Sequence, residues 1–260
     1  MGEVIVVTSG KGGVGKTTTT ANIGTALAQL GKSVVLVDGD IGLRNLDLVM
    51  GLENRIVYDL VDYVEKKCRL NQALIKDKRF EELYIMPAAQ TRDKNAVTPE
   101  QMKELCKELK EKYDFVIIDC PAGIEQGFKN SVAGAEKAIV VAIPEVSSIR
   151  DADRIIGLLY AEGIEDPVLV VNRTRPEMIK KNDMLDIEDT RELLGIKLLG
   201  SIPEDNCIIE ASNKGEPAVT NSHSKAGKAY DQIARKLCGM EIEEEPKGLF
   251  GKIKKVFSKN

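Results

Sequence analysis

Residues 3–30 read EVIVVTSGKGGVGKTTTTANIGTALAQL. The opening EVIVVTS (3–9) is a short β-branched apolar run, the pattern of a buried strand. GKGGVGKT (10–17) then fits the phosphate-loop spacing G-x-x-x-x-G-K-[ST], and residues 16–30 read as the helix which that loop must open. Gly10, Gly12, Gly13 and Gly15 let the backbone turn tightly enough for successive N–H groups to face a β-phosphate. The helix beginning at Lys16 adds its positive N-terminal end. Lys16 is placed to reach the β- and γ-phosphates, and the Thr17 hydroxyl to ligate Mg²⁺.

Outward from this unit, short apolar runs alternate with longer amphipathic stretches. Strands are expected at 3–9, 33–38, 83–86, 114–119, 137–143, 167–172 and 198–202, and helices at 16–30, 98–112, 124–135, 147–162, 183–194 and 224–238. The apolar runs are continuous rather than alternating, as in strands covered on both faces. Thr98, Pro99 and Gln101 make a clear helix start: N-cap, first helical position and capping-box partner. Alternation of this kind predicts an α/β fold, a single doubly wound, mostly parallel sheet of the P-loop NTPase type. One domain is expected over 1–240, then an acidic linker EIEEEP at 241–246 and a separate tail at 247–260.

Several acids end the strands near the loop. Asp119 closes DFVIID, where it can hold Mg²⁺ through water. Asp38 and Asp40 stand at the end of the second strand, in VDGDIG; one could join the metal's outer shell while the other orients an attacking water. Lys11 is not needed to cradle phosphate on its own chain. It is either solvated or offered to a neighbouring subunit's nucleotide, in the manner of an arginine finger. Asn172 ends PVLVVN, where its amide could read a base edge.

Composition removes other chemistries. The net charge is −4, and because the last fourteen residues carry five lysines and no acid, the rest of the chain stands at −9. A body this acidic argues against nonspecific coating of nucleic acid and leaves room only for a local basic patch. Cys68, Cys106, Cys120, Cys207 and Cys238 form no C-x-x-C, so neither a disulfide framework nor a zinc knuckle is expected, and His223 is the only histidine. Neither a secretory leader nor an apolar run near the ~18 residues of a membrane span is recognisable. Val6 stands where a myristoylation signal after Gly2 needs Ser or Thr.

KGGVGKTT, VDGDIGLRNLDLVMG, NQALIKDKR, PAAQTRDK, DCPAG, PEVSSIRDADRI and IPEDNCIIEASNKGEP together resemble the deviant-Walker-A (ParA/MinD) ATPases, and among them the bacterial septum-site-determining family. The resemblance runs from residue 3 through the tail. It implies a Mg²⁺-dependent ATPase that dimerises on ATP, binds the cytoplasmic face of the cell membrane, recruits a division inhibitor and is released by hydrolysis. By the same resemblance Gly10, Lys11, Gly12, Gly13, Val14, Gly15, Lys16, Thr17 and Thr18 contact the nucleotide, and Lys11 crosses to the partner subunit's phosphates. Asp40 places the hydrolytic water, Thr17, Asp38 and Asp119 serve the metal, and Asn172, Arg173, Pro203, Glu204 and Asp205 flank the adenine. The segment PEVSSIRDADRI resembles the helix used by a MinC-like inhibitor and a MinE-like activator. Cys120 stands in DCPAG where serine is commoner, and is expected to pack. A ParA-like DNA-partitioning ATPase would share the loop and acids but needs a DNA-holding basic surface and leaves the tail unexplained. An iron–sulfur reductase would need cysteines in a cluster pattern.

The tail KGLFGKIKKVFSKN (247–260) has its own logic. At 100° per residue Leu249, Phe250, Ile253, Val256 and Phe257 fall within an arc of about 120°, with Lys247, Lys252, Lys254, Lys255 and Lys259 opposite. That is a helix for the interface of an anionic membrane. One tail dwells briefly; two on a dimer gain roughly 10²–10⁴ in avidity, so ATP is expected to control residence by counting tails.

Overall fold

The computed structural model describes residues 2–93 and 95–240; the linker expected at 241–246 and the amphipathic helix expected at 247–260 lie outside the described residues. The chain runs β1 (Glu3–Thr8), α1 (Lys16–Gln29), β2 (Val34–Asp38), α2 (Leu46–Met50), α3 (Leu60–Val64), α4 (Leu70–Ala73), β3 (Ile75–Lys76), β4 (Leu83–Met86), α5 (Pro99–Lys110) and β5 (Phe115–Asp119). It continues through α6 (Gln126–Ala133), β6 (Lys137–Ala142), α7 (Val146–Ala161), β7 (Val168–Thr174), α8 (Pro176–Lys180), α9 (Ile187–Leu194), β8 (Lys197–Pro203), α10 (Cys207–Lys214) and α11 (Lys225–Leu237). The strands form one sheet in the order β3-β4-β2-β5-β1-β6-β7-β8, parallel except for the two-residue edge strand β3.

Side chains alternate across this sheet, which is why its strands are apolar throughout. Val4, Val6, Val35, Val37, Val116 and Ile118 face one core with α5, α6 and α7. Ile5, Val7, Leu36 and Ile117 face a second core with α1 and α11. Both faces are covered, so the central strands β1, β2 and β5 are buried at nearly every position whichever way it points. Central β1 pairs with β5 and β6, and registers Val7 with Asp119; β2 registers Asp38 with Asp119. The C-terminal ends of β1, β2 and β5 are therefore level, and the loops leaving them share one rim, where ligands of open α/β sheets bind.

All seven expected strands and all six expected helices are present, with ends shifted by a few residues. The capping box at Thr98 forms: the Gln101 N–H donates to Thr98 Oγ1 and the Thr98 N–H to Gln101 Oε1. The helix expected from 183 begins instead at Ile187, because Asp186 accepts the Asp189 N–H and caps it there. The unforeseen elements are short: β3, α2, α3, α4, α8 and α10, none above eight residues. Such lengths leave too few turns for an apolar stripe to repeat.

Candidate active site

The loop between β1 and α1 is closed by Gly15, whose φ of 100° lies in the left-handed region; a Cβ there would also come within 2.4 Å of Asn172 Nδ2. The first turn of α1 carries no acid, so nothing on the helix competes with an anion for its N-terminal N–H groups. Lys16 is only 7% exposed, and its Nζ donates to Ser9 Oγ at 3.0 Å, while Ser9 Oγ donates to the Lys11 carbonyl at 2.8 Å. Ser9 thus holds the Lys16 ammonium back over its own loop. Sequence reading passed over Ser9 because it precedes the glycine pattern; its one signal is a polar residue on the last step of an apolar strand. Lys11, Gly12 and Gly13 are exposed, Val14 is buried, and Thr17 and Thr18 are half-buried at the start of α1.

The expected acids meet at the same rim. Asp38 is fully buried and accepts three backbone N–H groups: Asp40 on Oδ1 at 2.9 Å, and Asn45 and Leu46 on Oδ2 at 3.2 and 3.1 Å. Burial still drives its carboxyl well above the usual range, against those hydrogen bonds and with repulsion from Asp40 and Asp47. Asp119, abreast of it, is raised by burial first and by Asp38 second, while the Thr17 hydroxyl and Lys16 pull it down. Two adjacent buried carboxylates raised in this way lack charge compensation, and a divalent cation beside the Thr17 hydroxyl would supply it. These residues fit Mg²⁺. Among the described residues no three His, Cys, Asp or Glu side chains are grouped to hold a metal by themselves, and Mg²⁺ commonly takes one or two carboxylates plus phosphate and water. Asp40 is half-buried next to this pair, and its carbonyl accepts from Leu43 and Arg44 in the turn leading to α2.

The residues expected around a base lie at the ends of β7 and β8. Asn172 Nδ2 donates to the Val14 carbonyl at 2.7 Å, and its Oδ1 accepts from the Arg173 N–H, so the amide ties β7 to the phosphate loop. Arg173, at φ 54°, is exposed and lines a groove with Ile143, Val146, Arg175 and Glu204. Pro203 ends β8 opposite Thr174. Glu204 is held by Arg175, through Nη2 to Oε1 at 2.7 Å and Nε to Oε2, and that hydrogen bonding keeps its carboxyl below the usual range. Asp205 accepts from the Cys207 N–H, the Ser224 hydroxyl and the Ala226 N–H at 3.0, 2.8 and 3.0 Å. Burial raises its carboxyl, but these donors outweigh it and hold the group at about 2. Asp205 therefore pins the start of α11 to the end of β8, a role with no local signature.

The PEVSSIRDADRI segment forms the N-terminal part of α7, with Ile149, Ala152 and Ile155 buried and Val146, Ser147, Arg150, Asp153 and Arg154 exposed. The five cysteines are free, and burial pushes the Cys120 thiol up to about 11, which suits packing rather than reactivity. Among the described residues no helix is long and apolar enough to cross a membrane.

The chain matches the CobQ/CobB/MinD/ParA nucleotide binding domain over residues 5–218. It is 61% identical over 264 residues to the septum site-determining protein MinD of Bacillus subtilis, covering 99% of this chain and 98% of the relative. The MinC:MinD cell division protein complex of Aquifex aeolicus contains a chain that superposes with a TM-score of 0.86 at 48% identity, covering 94% of this chain and 98% of that one. The septum site-determining protein MinD of Pyrococcus horikoshii, complexed with Mg-ADP, superposes at 0.83 with 34% identity, covering 91% and 96%.

Proposed function

The chain belongs to the MinD family of CobQ/CobB/MinD/ParA nucleotide-binding proteins, and from that premise we propose that it is a Mg²⁺-dependent ATPase switch of bacterial division-site placement. The observation that carries the chemistry is the convergence, on one rim of the sheet, of a phosphate lysine, an acid-free helix N-terminus and the buried Asp38–Asp119 pair.

Each residue has a task that its position permits. The N–H groups of residues 10–17 and the α1 terminus bind the β-phosphate. Lys16 leaves Ser9 for the β- and γ-oxygens, trading a neutral hydroxyl for a charged acceptor. Thr17, with Asp38 and Asp119 behind it, holds Mg²⁺, which when bound neutralises charge on the phosphates. Asp40 orients the attacking water from the same turn. Arg173, with the backbone at Asn172 and at Pro203, Glu204 and Asp205, frames the adenine. Lys11 is exposed on the loop and serves the nucleotide of a second copy, so turnover by a lone chain is slow.

The ATP-bound dimer presents the exposed face of α7 to a MinC-like inhibitor and a MinE-like activator, and two lysine-rich tails to anionic lipid on the cytoplasmic face of the membrane. Pelleting with anionic liposomes and with plasmid DNA, each with and without ATP, tests this. Lipid recruitment that needs ATP, weakens with salt and is lost on Phe250→Asp supports it. ATP-dependent binding to plasmid alone refutes it in favour of DNA partitioning, and strong lipid binding by the ADP form refutes control by tail number.

A further inference from the structure

The NQALIKDKR segment has no task in the site described above, yet it contains the most heavily engaged cation among the described residues. Asp77 and Arg79 lie on the connection from β3 to β4 at the sheet edge. Asp77 is 3% exposed, and receives Arg79 Nε on Oδ1 at 3.1 Å and Nη2 on Oδ2 at 2.7 Å. The remaining guanidinium donors leave the hairpin altogether. Nη2 donates to the Met50 carbonyl at 2.9 Å, and Nη1 to the Gly215 carbonyl at 3.0 Å.

Those two carbonyls belong to the C-terminal ends of α2 and α10, which hold unpaired carbonyls and partial negative charge. Gly51 and Gly215 cap the two helices in the left-handed conformation, at φ 66° and 63°. They also pack backbone on backbone: a Cβ on Gly215 would lie 2.5 Å from Gly51 Cα. One planar fork therefore clasps two helix ends that already touch. A lysine, a single charge with rotatable donors, cannot span the same four acceptors.

The opposite ends of these helices lie at the two halves of the nucleotide site. The Asn45 and Leu46 N–H groups that start α2 donate to Asp38, and the Cys207 N–H that starts α10 donates to Asp205. The hydrogen-bonded path runs from the metal side, through α2, the Arg79 fork and α10, to the base side. Both helices are short, five and eight residues, so few residues separate the two ends of this path.

We propose that Arg79 is a positioning residue for ATP hydrolysis, clasping α2 to α10 so that occupation of the base side sets the Asp38–Asp40 turn for turnover. This rests on the assignment of Asp38, Asp40 and residues 203–205 to the nucleotide site. The test uses the full chain with Mg²⁺ and ATP, measuring the basal turnover number, affinity for a fluorescent ATP analogue, and thermal midpoint, for Arg79→Lys, Arg79→Met and the control Arg55→Met. Arg55 donates from the neighbouring turn to the Lys76 carbonyl at an exposed site. Both Arg79 variants should lose about 3- to 30-fold in turnover at nearly unchanged affinity, the range of coupling along such networks, and Arg55→Met should lose none. Combined with Asp205→Asn, the loss should be less than the product of the two single losses. Wild-type turnover in folded Arg79 variants, a matching fall in affinity, or loss of folded protein in both variants overturns the proposal, the last two by making the clasp a plain structural staple. Failure of the underlying assignment gives a different result: Asp40→Ala would then hydrolyse ATP at the wild-type rate whatever Arg79 does.

Discussion

Replacing Asp205 with asparagine keeps the shape of the side chain but removes the charge that three donors converge on. The gap between its ordinary value of 3.8 and about 2 corresponds to roughly 2 kcal/mol in favour of the folded state at neutral pH. The side chain is only partly buried, and screening by solvent trims this to about 1–2 kcal/mol. Because the folded value is depressed, the contribution is fully present above the unfolded value and disappears as the pH falls from about 4 to about 2, with roughly half left near pH 3. Urea unfolding of wild type and Asp205→Asn, without nucleotide, at pH 7 and pH 3 measures it. The two should differ by about 1–2 kcal/mol at pH 7 and by about half that at pH 3. Asp38 and Asp119, raised by burial, move stability the opposite way with pH, but they do so in both proteins and cancel in the difference. A gap that stays constant between the two pH values refutes the electrostatic account. A variant of undiminished stability that loses nucleotide affinity would show that Asp205 touches the ligand rather than anchoring α11.

Under the proposed cross-subunit role of the exposed Lys11, Lys11→Ala should remain monomeric in sedimentation with ATP while still retaining some nucleotide; a full ATP-dependent dimer would exclude that role. Asp119→Asn should raise the thermal midpoint of the nucleotide-free protein at pH 8 and leave it nearly unchanged at pH 4, since burial holds the folded carboxyl protonated up to about 8 and the resulting cost grows between about 4 and 8, as the unfolded chain's carboxyl ionises. If Asp119 serves the metal as proposed, the same variant should lose Mg²⁺-dependent turnover, and a lowered midpoint at both pH values would show that the carboxylate is compensated by the fold instead.

What could be read without coordinates was whatever the chain states locally. The loop 10–17 and its flanking strand and helix are contiguous, and hydrophobic runs covered on both faces mark each long strand, so the parallel sheet was legible, and with it the gathering of Lys16, Thr17, Asp38, Asp40 and Asp119 at one rim. The capping box at Thr98 was legible for the same reason, its partners being three residues apart. Tertiary structure alone decided that Asn172 braces the Val14 carbonyl 158 positions away, that Asp205 anchors α11, and that Arg79 bridges Met50 to Gly215. In most of these contacts a side chain meets the backbone of a distant segment. Every residue but proline offers the same N–H and every residue the same carbonyl, so the recipient leaves no mark in the sequence, and only the fold determines which of these identical groups lies within reach.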